Sequence, residues 1–91
     1  MEVVIDNKKY EVIKNEKDAL DIRDLEGKIT DYYDSFDYIL GDYAYGKVRL
    51  KGFNDKNNKY FKPVNDIQKV DDYIEKYCAY GCKYFILKIK K

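Results

Sequence analysis

FDYILGDYAYGKVRLKGF, residues 36–53, holds the chain's densest run of strand-forming residues together with turn glycines at positions 41 and 46. Asp37 to Leu40 reads as one strand, Gly41 to Gly46 as a turn or bulged loop whose glycines accept positive φ, and Lys47 to Phe53 as the returning strand. Along the returning strand Lys47, Arg49 and Lys51 alternate with Val48 and Leu50. Side chains alternate across a strand, so the three cations share one face and the two aliphatic residues the other. A central hairpin with one charged and one core-facing side is the expectation.

Working outward toward the N-terminus, Val3–Ile5 and Tyr10–Ile13 flank the polar Asp6-Asn7-Lys8-Lys9, which reads as a second hairpin. Asn15 to Asp18 reads as a loop. Asp21 is a helix cap with Leu20 and Leu25 as its hydrophobic staple, and Ile22, Leu25, Ile29, Tyr32, Tyr33 and Phe36 then repeat at three and four, predicting a helix to about Ser35. Gly27 sits inside it, at about 1 kcal/mol against alanine, and a break there into two short helices remains open. Toward the C-terminus, Asn54 to Asn58 is a polar turn, and Tyr60-Phe61 reads as a short strand stopped by Pro63. Ile67 to Tyr80 reads as the second helix, capped by Asn65 or Gln68 and ended by Gly81. Lys83 to Ile89 closes the chain as a strand whose Tyr84-Phe85-Ile86-Leu87 core is apolar on both sides, hence interior to a sheet. The expected fold is α+β, a single domain over residues 1–91 with a small mixed or antiparallel sheet of five to six strands and two helices.

A chain of 91 residues exceeds the roughly 70–80 below which a lone core needs a staple, and 45% hydrophobic residues argue against disorder. No apolar run approaches the roughly 20 residues of a membrane span, and acidic Glu2 does not suit a signal peptide, so a cytoplasmic location is expected. Histidine is absent, which removes the usual general base, triad partner and metal ligand. No catalytic set, no cofactor and no small-molecule substrate is implied. The net charge of +1 conceals segregation: residues 16–37 carry −5, residues 47–62 carry +5, and residues 76–91 another +5.

Gly41-Asp42, Arg49-Leu50-Lys51-Gly52-Phe53 and Tyr77-Cys78-x-x-Gly81-Cys82 together make residues 20 to 90 resemble the YutD-like family, a bacterial family of unknown function found mainly in Firmicutes. Several members carry tryptophan where this chain has Tyr43, and glutamine where it has Lys47. The resemblance implies an α+β fold and a bacterial cytoplasmic origin, and no activity.

Three sets of residues are candidates for function. Lys47, Arg49 and Lys51 beside Tyr43 and Tyr45, extended by Lys59, Tyr60 and Lys62, offer cations for phosphates and rings for bases, the needs of a single-stranded nucleic-acid surface. The plainer alternative is that the cations solubilise an open sheet face while the tyrosines plug its rim. Cys78 and Cys82 are a thiol pair that could approach disulfide distance, supply half a metal site in a dimer, or simply pack as small hydrophobes. Asp37 and Asp42 flank one end of the hairpin, where paired acids bind cations and strand-end aspartates more often cap turns. The expected role is a non-enzymatic binding module contacting nucleic acid through the hairpin. The alternative is a protein-interaction adaptor using the same tyrosine-rich surface or the acidic helix.

Overall fold

The structure, a computed structural model, describes residues 1–77 and 82–90. Five strands form one antiparallel sheet: β1 (Glu2–Ile5), β2 (Lys8–Glu16), β3 (Tyr38–Ala44), β4 (Lys47–Phe53) and β5 (Tyr84–Ile89), in the order β1-β2-β5-β3-β4. The C-terminal strand is thus the middle one, as its two-sided apolar sequence requires. Phe85 and Leu87 point into one core with Ile5, Tyr10, Leu25, Ile29 and Ile39, while Ile86 points through the sheet into a second core with Leu40 and Phe53.

Each core has its own roof. Residues 19–36 cover the first with Ala19, Leu25, Ile29 and half-buried Tyr33. The helix expected from Asp21 to Ser35 is not continuous there. Asp21 caps as expected, its carboxylate accepting from the Arg23 amide at 3.0 Å, but the helix α1 spans only Ile22–Leu25. Glu26 is already extended and Gly27 is left-handed at φ 76°, its amide donating to the Asp6 carboxylate at 2.8 Å. A separate 3-10 turn, Asp31–Ser35, follows. The break arises where a left-handed glycine and a long-range bond outweigh the three-and-four repeat.

The second core is roofed by α2 (Val70–Tyr77) and the 3-10 turn Ile67–Lys69 before it. Ile67, Val70, Tyr73 and Ile74 lie against the Leu40, Phe53 and Ile86 core, as the spacing predicts. The cap is neither Asn65 nor Gln68 but Asp66, whose carboxylate accepts from the Gln68 amide at 2.9 Å. The expected helix end at Gly81 lies outside the described residues. Tyr60-Phe61 is not a strand: Asn58 closes a turn through it, and the sheet edge beside it is taken by Asn65–Ile67, which bonds both backbone groups of Asn54 at 2.7 and 3.0 Å.

The central hairpin is longer and tighter than expected. Residues 41–44 belong to β3, and the turn is only Tyr45-Gly46, at φ 54° and 76°, the paired left-handed geometry that matches strand twist. Gly41 has no need of positive φ. A Cβ on it would lie 2.0 Å from the tip of the Phe85 ring, which crosses the strand at that point. Gly41→Ala is therefore expected to overpack the centre of the sheet and lower stability by about 1–3 kcal/mol, measured by urea unfolding.

Candidate functional site

The cationic row on β4 is where the alternation placed it, on one face with Val48 and Leu50 on the other, but that face carries the second roof. Arg49 stands directly across from Asp42, a buried carboxylate on β3, and clamps it through Nε to Oδ1 at 3.0 Å and Nη2 to Oδ2 at 2.6 Å. A carboxylate taken out of water needs such a fork, so Arg49 is held by the fold. Lys51 lays its ammonium 5.3 Å from the Phe53 ring centroid and 5.4 Å from that of Tyr73. Lys47 alone of the three extends from an exposed position with no ion pair to a described residue.

The two tyrosines of the hairpin separate. Tyr43 faces the first core, its hydroxyl donating to the Asp24 carboxylate at 2.9 Å and the Ala19 carbonyl at 3.1 Å, with Lys83 4.5 Å above its ring. Burial first, and then the bond to Asp24, pushes that hydroxyl up from its ordinary 10.0 to about 12. Tyr45 is fully exposed at the hairpin tip in a left-handed backbone.

Lys59 and Tyr60 come together with Lys51 elsewhere, in an open groove of about 490 Å³ at the outer margin of β4. One wall is residues 32–36, the other residues 59–65, and Leu50-Lys51-Gly52 form the floor. Tyr32, Tyr60 and Val64 are exposed on its rim. A Cβ at Gly52 would come within 2.3 Å of the Phe36 ring, so the bare backbone there lets that ring sit directly on the strand. Lys51, Lys59 and Lys62 line the groove with no carboxylate among the described residues that line it, Asp34 of the first wall being paired with Lys8 instead.

Its walls are tied to one another by amide and carboxylate groups from residues whose sequence predicts only turns. Fully buried Asn54 accepts from the Asp37 amide at 2.8 Å through Oδ1. Asp37 in turn accepts from the Asp55 amide at 3.0 Å and from Asn58 Nδ2 at 3.1 Å, while the same Nδ2 reaches the Ser35 carbonyl at 3.2 Å. Asn58 Oδ1 accepts from the Tyr60 amide at 2.7 Å, which sets the direction of Tyr60. Asp37 and Asp42 are thus engaged at separate places and do not converge as a cation-binding pair. Among the described residues no cluster of three or more histidine, cysteine or acidic side chains is placed to hold a metal. Cys78 lies outside the described residues; Cys82 is in disulfide form. Asn54 and Asn58 gave one signal in the sequence, their spacing in a polar run just after a strand. Tyr32 and Tyr33 were legible as apolar positions, but only the broken helix turns Tyr32 outward.

Comparison with known proteins agrees with this architecture. Residues 4–88 match the family model described as "Putative antitoxin YutD-like". The chain is 38% identical over 86 residues to "Putative antitoxin YutD" of Bacillus subtilis strain 168, covering 94% of each chain. The solution NMR structure of the B. subtilis yutD protein superposes with a TM-score of 0.78 at 36% identity, over 100% of this chain and 83% of the other. The match extends further toward the N-terminus than residue 20, so it takes in the first hairpin. Among the described residues no helix is long and apolar enough to cross a membrane.

Two measurements probe the side chains just placed. In the unfolded chain Tyr43 ionises near 10, whereas in the folded protein it keeps its proton to about 12. The folded state therefore binds more protons in that window, and its stability is full below pH 10 and declines as pH rises toward 12. Tyr43→Phe should make that decline shallower in unfolding experiments across the same range. Tyr45→Asn should raise stability by up to about 1 kcal/mol in thermal unfolding, since asparagine accepts the left-handed conformation more readily than a bulky ring.

Proposed function

The chain belongs to the YutD-like family, and on that premise we propose that it is a binding module without catalysis, whose partner is another protein held in the groove beside β4. The observation that carries this reading is the convergence of Tyr32, Tyr60 and Val64, all exposed, on one concavity. Single apolar side chains on a surface are ordinary. Tyrosines gathered round a hollow supply the aromatic anchors in which interface centres are enriched. The family's description as an antitoxin supports the same choice, because an antitoxin is named for its action against a toxin.

Nucleic-acid contact through the hairpin has less support. It needed Lys47, Arg49, Lys51, Tyr43 and Tyr45 as one open patch, but Arg49 is clamped on Asp42 and Tyr43 faces the opposite core. An adaptor role for an acidic helix lacks its helix, since Asp31 and Asp34 sit on a short turn where both lie within ion-pair distance of Lys8.

Photo-crosslinking residues placed at positions 60 and 64 should give a discrete protein adduct in cells, and the same residue at exposed position 13 should not. Tyr32→Ala should abolish the adduct, as the loss of an interface anchor weakens binding by about thirtyfold or more. Adducts to nucleic acid alone, or equal adducts from position 13, would overturn the reading.

A further inference from the structure

β4 is an outer strand of the sheet, and its outer backbone groups have a direction that the structure fixes. Asn54, immediately after β4, points both its N–H and its C=O outward, where they bond Asn65 and Ile67. Backbone groups along an antiparallel strand alternate between its two sides. Gly52, Leu50 and Val48 therefore point outward as well, in agreement with the closing pair Ala44–Lys47 of the two-residue turn. No described residue outside β3 bonds to those three. Leu50 and Gly52 form the groove floor; Gly52 is buried against the Phe36 ring, whereas Leu50 and Val48 are half-buried, so the unpaired edge retains exposed surface at those two residues.

Resting on the reading of this groove as a protein-binding surface, we propose that it takes an extended acidic segment of the partner as an added strand on β4. The segment would pair along Leu50 and Val48, beyond buried Gly52, on the same side of β4 on which Asn65–Ile67 pairs with Asn54. Main-chain bonds give such an arrangement its affinity, and alternate side chains give it selectivity. Here the side chains that meet the segment are Lys51, Lys59 and Lys62, none of them paired with a described carboxylate, together with Tyr32 and Tyr60. Acidic residues alternating along the segment meet the lysines, and the residues between them meet the rings.

A second copy of the chain is a poorer occupant. Pairing β4 with β4 would set Lys47 and Lys51 of each copy in one row, like charge against like charge. Edge lysines are a common guard against self-association, and here the same guard attracts an acidic strand.

The test uses the full chain and a capped peptide of alternating glutamate and valine, six residues long. The peptide is expected to bind, to slow amide exchange at Val48 and Leu50 by about tenfold or more, and to lose at least about tenfold in affinity when alternate peptide nitrogens are methylated. The double variant Lys59→Glu with Lys62→Glu, both surface positions, should weaken it by a similar factor, and a lysine-valine peptide should bind worse. The proposal is overturned by unchanged exchange at Val48 and Leu50, by indifference to methylation or to the double variant, by tighter binding of oligothymidylate at the same place, or by β4-mediated self-association in its stead. A peptide held without protection of those amides removes the added strand and leaves the protein-binding groove standing, whereas failed crosslinking at position 60 removes the groove itself.

Discussion

A strand that is apolar on both sides has to be roofed twice, and β5 imposes that demand on the whole molecule. Phe85, Ile86 and Leu87 are consecutive and buried, so burial cannot be met by one layer. At about 1.5–3 kcal/mol for each large side chain fully withdrawn from water, those residues outweigh most local preferences elsewhere in the chain. The demand is met by residues 19–36 on one side and by α2 with its preceding turn on the other. Antiparallel pairing of β5 with both β2 and β3 then joins the N-terminal hairpin to the central one.

Roofing both sides explains what becomes of the cations on β4. The face that alternation assigned to Lys47, Arg49 and Lys51 is not open solvent along its length, because Tyr73 of α2 lies on it. Arg49 is drawn to the buried carboxylate of Asp42, and Lys51 holds its ammonium over the rings of Phe53 and Tyr73. A charge stripe read as a surface is thus partly a device for closing the sheet margin.

The groove is a consequence of the same construction. The two roofs approach the β4 margin from opposite faces and stop short of covering it, leaving residues 32–36 and 59–65 as facing walls. Buried Asn54, with Asp37 and Asn58, bolts the walls together through bonds of 2.8 to 3.1 Å. Those bonds fix the separation of the two walls, although Asn54 Nδ2 is buried without a hydrogen-bond partner among the described residues.

Strand-forming residues, turn glycines and the two-sided apolar run at 84–87 were sufficient, read alone, to establish an α+β domain with β5 inside, a hairpin at Tyr38–Phe53, and the core faces of β4 and α2, because those features depend on periods of two and 3.6 residues that are local. Local periodicity could not tell that the repeat from Ile22 to Phe36 breaks at Gly27, since the Asp6 carboxylate that receives the Gly27 amide is 21 residues away. Nor could it divide Lys51, Lys59 and Tyr60 from Arg49 and Tyr43, residues that the sequence offered as one patch. Which side chains are spent on packing and which are left facing a groove is decided by partners distant in the chain, and only the tertiary structure brings those partners into contact.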